Sequence, residues 1–175
     1  MTTGQPVLST ISQDRFVADV QALATRLEED GWQPDFIVGI GRGGLVPAAY
    51  LSHRTGIAML SIDYSARVPG FADELLTKLA TMSAAGRRLL FLDDINDSGA
   101  TLLDLRETLL AQGGDAANLR VAVLISNDRS RATVDYCART IDRATDKQWY
   151  VFPWESVAPT SALIDEARDV PERLA

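Results

Sequence analysis

Four short, mainly apolar segments alternate with segments of helical periodicity, and this alternation constrains the fold more than any other feature of the chain. Helices are predicted from Ser12 to Gly31, over 45–55, 72–82 and 98–112, and near the end over 160–168. Strands whose inner residues are apolar throughout are buried on both faces, which is typical of a parallel sheet covered by helices on both sides. The sequence therefore predicts the α/β class, with a doubly wound, mainly parallel sheet flanked by helices. The predicted strands are FIVGI (36–40), IAMLSID (57–63), RRLLFLDD (87–94) and LRVAVLIS (119–126).

Length and charge narrow the function classes. The 175 residues fit a single domain, and their 17 basic and 24 acidic side chains give a net charge of -7. A dedicated binder of nucleic acid or of an anionic membrane needs clustered positive charge, so the composition argues against both. No apolar run approaches the roughly 18 residues that a spanning helix requires, the first residues do not resemble a signal peptide, and the lone Cys137 excludes an internal disulfide. We expect a soluble, cytoplasmic protein.

The first strand is followed by a glycine-rich segment with more than one interpretation. Residues 39–44 satisfy the pattern G-x-G-x-x-G, and Asp63 lies nineteen residues beyond Gly44, as in dinucleotide-binding folds. Another phosphate or pyrophosphate site, or a simple tight turn between strand and helix, fits the same residues. Glycines matter for an anion because they let backbone N–H groups approach it at a helix N-terminus. The cationic Arg42 argues against a dinucleotide.

The segment LLFLDDINDSGATL (89–102) carries a stronger signal. Its apolar half predicts a central strand that delivers Asp93 and Asp94 to the carboxyl edge of the sheet. Such carboxylates accept hydrogen bonds from hydroxyls and carry charge readily beside a bound Mg²⁺. The residues 98–101 then open a helix whose free N–H groups and two hydroxyls form a cup for a monophosphate. An acid pair beside a phosphate cup describes a site for a ribose 5-phosphate, although an acidic turn with a serine N-cap uses the same residue types.

With these residues in view, the chain resembles the type I phosphoribosyltransferases. The segment 93–101 is similar to that family's signature for 5-phosphoribosyl 1-diphosphate (PRPP). GRGGLVP (41–47) resembles the pyrophosphate loop of the xanthine-guanine and hypoxanthine-guanine branch, and WYVFPWE (149–155) resembles its base-binding segment W-x-x-x-P-W-acid. The similarity covers roughly residues 35–155. It implies one domain over 1–175, with a core at about 35–155, a small hood, and a mobile lid at about 64–84.

The resemblance also implies roles for the residues that bind PRPP. Asp93 and Asp94 would hold the ribose hydroxyls, with Asp94 near Mg²⁺, and Asp97 would be the general base that faces the purine N7. The pyrophosphate would contact Arg42 and Gly43. The resemblance also implies a cis peptide between Gly41 and Arg42. The 5-phosphate would be held by Ser98, Gly99, Ala100 and Thr101.

For the base, the resemblance implies stacking between Trp149 and Ile95, with Tyr150 in the same segment. Composition alone favours core packing for Trp154. One departure concerns the lysine with which purine-binding relatives contact the 6-oxo group. That position falls near Ser126 here, and Arg129 or Arg131 are the candidates to replace it.

The implied activity is transfer of the 5-phosphoribosyl group from PRPP to a nucleobase, a 6-oxopurine in purine salvage, with release of pyrophosphate. Mg²⁺ is the implied cofactor, and a homodimer or homotetramer is expected. Two alternatives stay open: a catalytically silent regulator that senses PRPP or a nucleotide on the same fold, and a dehydrogenase dependent on NAD(P) that uses the glycine-rich segment.

Overall fold

The computed structural model describes residues 6–63, 68 and 70–168. Within these residues the chain forms seven strands and five α-helices, and two short 3₁₀ turns lie at Ala116–Asn118 and Pro153–Glu155. The predicted alternation of strands and helices is confirmed. In chain order the elements are β1 (Leu8–Thr10), α1 (Gln13–Asp30), β2 (Phe36–Ile40), α2 (Gly41–Thr55), β3 (Ala58–Ile62), α3 (Asp73–Ala84), β4 (Leu89–Asn96), α4 (Ala100–Ala111), β5 (Leu119–Asn127), β6 (Tyr136–Ile141), β7 (Trp149–Val151) and α5 (Thr160–Arg168).

The central sheet has five parallel strands in the order β3-β2-β4-β5-β6. Strands β2 to β5 are the four that the sequence predicts, whereas β6 is a further strand that begins at Tyr136. From β2 the chain moves outward to β3 and then crosses back, so that β4 lies on the other side of β2. The connections of β2 and β4 therefore leave in opposite directions. In a doubly wound sheet this switch point is where ligands bind, beyond the carboxyl ends of the strands.

Strand β4 shows why its first four residues, 89–92, are all apolar. Successive side chains of a strand point to opposite faces of the sheet. Leu90 and Leu92 pack into the core formed with α1 and α2, and Leu89 and Phe91 pack into the core formed with α3 and α4. Since both faces are covered by helices, the predicted doubly wound α/β class is confirmed.

Strands β1 and β7 form a separate, two-stranded parallel sheet, which we call the hood. Leu8 lies opposite Trp149, and Thr10 lies opposite Val151. Strand β1 has no signal in the sequence, because three residues are too few to show a period. Phe152, directly after β7, is buried in the same core as α1, so the hood is attached to that side of the molecule.

The expected lid at 64–84 lies partly outside the described residues, which exclude 64–67 and 69. Its second half is α3, close to the helix predicted over 72–82, and Leu76 and Leu79 of that helix are buried against the sheet. Among the described helices, none combines the length and the apolar character that crossing a membrane demands.

Candidate active site

A cavity of about 370 Å³ opens at the carboxyl ends of β2 and β4, at the switch point of the sheet. It is lined by five of the residues predicted for the PRPP site, and the two sequence segments singled out above therefore meet at one place. These five are Arg42, Gly43, Asp93, Asp94 and Thr101. The opposite wall comes from the segment after β7 and from α5, and it consists of Trp154, Glu155, Val157, Ala158, Leu163 and Glu166.

The glycine-rich segment is the first turn of α2. The expected separate loop at 41–44 is wrong, because the helix begins directly at Gly41. The glycines let this turn lie close against β4. A Cβ on Gly44 would lie 2.0 Å from the carbonyl oxygen of Leu92, and a Cβ on Gly43 would lie 2.6 Å from Oδ2 of Asp94. The helix N-terminus, whose first N–H groups lack intrahelical partners, thus approaches the acid pair closely. Such a terminus is a ready anion site.

Arg42 projects from this turn, and its side chain is 84% exposed. Its Nη2 atom lies 3.7 Å from Oε1 of Glu166 on α5, so the two walls of the cavity are linked by an ion pair. The cis Gly41–Arg42 peptide that the resemblance implies is not present, since every peptide bond within 6–63, 68 and 70–168 is trans.

Asp93 and Asp94 lie half-buried near the end of β4, where the register with β5 pairs Asp93 with Val123 and resumes at Ile95. Burial and the neighbouring Asp94 carboxylate raise the pKa of Asp93 well above its usual range. Burial, followed by repulsion from Glu155, raises the pKa of Asp94 to about 7. The pKa of Glu155 is itself raised, mainly by burial. Carboxyl groups that resist ionisation at one cavity favour a bound cation, or hydroxyl groups that donate to them.

The donor set at this cavity fits Mg²⁺. This ion prefers carboxylate oxygens and is usually held by one or two of them, together with water and substrate phosphates. Asp94 is the predicted ligand, and Gly43 leaves the space beside its carboxylate free of a Cβ. Among the described residues no cluster of three or more His, Cys, Asp or Glu side chains could hold a metal alone. A cation here would complete its coordination with water and with substrate oxygens.

The segment from Asp97 to Thr101 leads from β4 into α4, which begins at Ala100 and not at Ser98 as predicted. Gly99 precedes it with φ 84°, and a Cβ there would lie 2.5 Å from the backbone nitrogen of Ala132. The N–H of Ala100 donates to Oγ of Ser98 at 3.2 Å. Because Thr101 lines the cavity, the first turn of α4 lies beside the acid pair, as a phosphate cup requires.

Asp97 does not line this cavity. Its carboxylate accepts hydrogen bonds from the guanidinium of Arg143, with Nε at 2.9 Å from Oδ1 and Nη2 at 2.8 Å from Oδ2. Its carbonyl oxygen accepts the side-chain N–H of Asn127 at 3.0 Å. The predicted general base is thus held from two sides by residues to which the sequence analysis gave no role.

Of the residues predicted for the base, Ile95 follows the acid pair in β4, and Trp149 and Tyr150 lie in the hood. Ile95 is partly buried and packs against the core that contains α1. Trp149 and Tyr150 belong to β7, where the Tyr150 hydroxyl donates to Oδ2 of Asp146. The wall of the cavity is instead formed by Trp154, which packs against the core as predicted but also faces the cavity.

The position of the family lysine is filled differently. Ser126 is 8% exposed near the end of β5, and its hydroxyl accepts a hydrogen bond from Nδ2 of Asn96 at 3.2 Å. Arg129 forms an ion pair with Asp142, and the backbone N–H of Arg131 donates to the carbonyl oxygen of Ser98. These contacts give Ser126 a structural partner, and they commit the Arg129 side chain to the loop after β6.

Four residues of the site had no assigned role in the sequence analysis: Glu155, Glu166, Asn127 and Arg143. Glu155 was visible only as the acid of the base-binding segment. The other three lie outside the motif segments, and only the fold shows which of their side chains reach the site.

The sequence profile of the phosphoribosyl transferase domain family matches residues 9–157. A purine phosphoribosyltransferase from Pyrococcus horikoshii Ot3 is 28% identical, with a TM-score of 0.64 over 86% of this chain and 96% of that one. The Helicobacter pylori xanthine-guanine-hypoxanthine phosphoribosyltransferase is 21% identical, with a TM-score of 0.61 over 84% and 92% of the two chains. A hypothetical protein from Neisseria gonorrhoeae, solved with bound ppGpp, is 22% identical, with a TM-score of 0.65 over all of both chains.

The family match spans most of the chain and includes both motif segments that meet at the cavity. It replaces the dinucleotide interpretation of the glycine-rich segment. The predicted resemblance to the purine branch is confirmed, and the chain belongs to the type I phosphoribosyltransferase family, whose members are pentosyltransferase enzymes.

Proposed function

We propose that this enzyme transfers the 5-phosphoribosyl group of Mg²⁺-bound PRPP to a ring nitrogen of a 6-oxopurine, with release of pyrophosphate, as in purine salvage. The observation that carries the proposal is the meeting of three groups at one cavity: the N-terminus of α2, the acid pair of β4 and the N-terminus of α4. A pyrophosphate, a ribose diol and a 5-phosphate need these three kinds of partner.

The roles follow from this arrangement. Gly43 and Arg42 would contact the pyrophosphate, Asp93 and Asp94 would accept hydrogen bonds from the ribose hydroxyls, and the turn from Ser98 to Thr101 would hold the 5-phosphate. Asp94 would also hold Mg²⁺, which when bound neutralises the pyrophosphate leaving group. The raised pKa values of Asp93 and Asp94 support this assignment, because both carboxylates gain from a nearby cation.

The reaction breaks the bond between C1 of the ribose and the pyrophosphate oxygen, and forms a bond between C1 and a nitrogen of the base. Positive charge develops at C1, and carboxylates beside the ribose stabilise it. The base nitrogen gives up its proton, which Asp97 would accept or guide. We expect proton transfer to contribute about 10²-fold and positioning of the two substrates to contribute more.

The test measures pyrophosphate release with Mg-PRPP and hypoxanthine, guanine, xanthine or adenine. We expect turnover with at least one 6-oxopurine, none without Mg²⁺, and a product nucleotide of matching mass. Turnover with adenine alone would overturn the proposed base class. PRPP that neither reacts nor raises the melting temperature would overturn the function itself.

A regulator that senses PRPP or a nucleotide is the second candidate. It is favoured by the missing lysine, since Ser126 is engaged with Asn96, and by the Neisseria gonorrhoeae protein, which was solved with ppGpp. A thermal-shift panel of PRPP, GMP, IMP and ppGpp separates the candidates. Stabilisation by these ligands without any pyrophosphate release would favour the regulator.

A further inference from the structure

Arg143 is a buried cation to which the proposed reaction gives no task. Its side chain is 3% exposed, and it lies two residues beyond β6, in the segment 142–148 that leads into β7. An arginine is almost never buried unless its charge is paired, since removing a guanidinium from water is costly. The contacts of Arg143 therefore point to what it does.

The guanidinium is held in one orientation. Its Nε and Nη2 donate to the two carboxylate oxygens of Asp97 at 2.9 and 2.8 Å. Its Nη1 donates to the carbonyl oxygens of Gln148, at 2.7 Å, and Asp146, at 3.3 Å. The centroid of the Tyr150 ring lies 5.7 Å from the guanidinium carbon. A two-pronged contact of this kind fixes geometry as well as charge, which a lysine cannot reproduce.

Asn127 forms hydrogen bonds with both members of the Arg143–Asp97 pair. Its Oδ1 accepts the backbone N–H of Arg143 at 3.2 Å, and its Nδ2 donates to the carbonyl oxygen of Asp97 at 3.0 Å. Asp97 begins the turn into α4, whereas Gln148 directly precedes Trp149 and β7. One guanidinium thus connects the turn assigned to the phosphoribosyl group with the strand assigned to the base.

We propose that Arg143 is a positioning residue for the transfer reaction. It orients the Asp97 carboxylate and fixes the distance between the turn at 97–101 and β7, so that base and ribose meet in reacting geometry. The inference rests on the proposed function. Since Arg143 is buried and its donors are directed at Asp97 and at two carbonyl oxygens, it acts through Asp97 and not by touching the substrate.

The test compares Arg143→Met and Arg143→Lys with the control Arg139→Met. Arg139 lies 5.9 Å from the same Tyr150 ring, but its ion pair goes to Asp19 of α1. We expect Arg143→Met to lower kcat/KM for the base by about 100-fold, the size of effect that small misplacements of reacting groups produce. Arg143→Lys should lose about tenfold, and KM for PRPP should change by less than about threefold in both. The control should stay within about threefold in all parameters.

A double variant with Asp97→Asn sharpens the test. If Arg143 acts through Asp97, the double variant should be no more than about threefold worse than Arg143→Met alone. Multiplicative losses, equal losses for base and PRPP, or an equal effect of Arg139→Met would overturn the inference and leave Arg143 a purely structural residue.

A binding measurement covers the remaining cases. The rise in melting temperature with GMP or IMP should shrink in both Arg143 variants, while the rise with Mg-PRPP persists, and unchanged rises with all ligands would overturn the inference. If Arg143→Met does not fold, Arg143→Lys carries both comparisons. A wild-type chain that neither turns over nor responds to Mg-PRPP would refute the proposed function, which differs from an active wild type with unaffected variants.

Discussion

Replacing Asp94 by Asn tests the electrostatics of the cavity. Burial and the Glu155 carboxylate raise the pKa of Asp94 to about 7, whereas the same group in an unfolded chain ionises near 3.8. Between these values the unfolded state has lost a proton that the folded state keeps, so the free energy of unfolding falls as the pH rises. Asparagine has the shape of a protonated aspartate and carries no charge. Asp94→Asn should therefore remove this loss.

The magnitude follows from the two pKa values. The difference between 3.8 and about 7 corresponds to at most about 4 kcal/mol above pH 7. Linkage places roughly 2 to 3 kcal/mol of this between pH 5 and pH 8. Over that interval the variant should gain stability relative to the wild type by this amount, and near pH 4 the two should be almost equal.

Urea denaturation at pH 5 and pH 8, with and without Mg²⁺, measures the effect. The exposed Asp128 supplies the matched control, and Asp128→Asn should track the wild type at both pH values. Mg²⁺ should stabilise the wild type more at pH 8 than at pH 5, because the ionised carboxylate binds it, and Asp94→Asn should lose that response. The reasoning is refuted if the gap between Asp94→Asn and the wild type does not widen with pH.

Two further variants probe the walls of the cavity. Gly44→Ala places a Cβ within 2.0 Å of the Leu92 carbonyl oxygen and should lower the free energy of unfolding, measured by chemical denaturation, by about 3 kcal/mol or more. The control Gly56→Ala has open space around its Cβ but φ +73°, and it should lower the free energy of unfolding by about 1 to 2 kcal/mol. Equal losses would contradict the close approach of α2 to β4. Glu166→Gln removes the carboxylate that pairs with Arg42 and should lower KM for PRPP about two- to fivefold at low salt. The effect should be smaller at high salt, because salt screens the ion pair. A rise in KM would contradict the assignment of Arg42 to the pyrophosphate.

The fold was predictable because its signals are local and repeated. Strand β2 has the predicted bounds, and α1 lies between the predicted limits Ser12 and Gly31. The Arg15 N–H donates to Oγ of Ser12, and Gly31 ends the helix at φ 70°. Strand β1 was missed, since its three residues gain their partner only from β7, some 140 positions later in the chain. The start of α2 was misplaced because glycine lowers helix propensity, while here close packing against β4 requires it.

The site was predictable where one segment supplies several groups, and not where distant segments meet. Asp93, Asp94 and Thr101 stand within nine residues, and the end of β4 and the first turn of α4 bring them to one cavity. Arg143 lies 46 positions from Asp97, and no local pattern marks it as different from the other arginines of a chain that contains two lysines. Its contact with Asp97 depends on the pairing of β6 with β5, which the sequence does not show.

The net charge of -7 and the proposed anionic substrate are compatible because the positive potential does not have to come from surface side chains. The helices α2 and α4 both begin at the cavity, and each N-terminus carries roughly half a positive charge. The carboxylates between them would repel a bare phosphate but attract one that carries Mg²⁺. An extended polyanion needs a basic surface along its length, whereas a compact phosphate ester with its own cation needs only two helix ends and an acid pair. The argument from composition against a nucleic-acid partner therefore does not extend to PRPP.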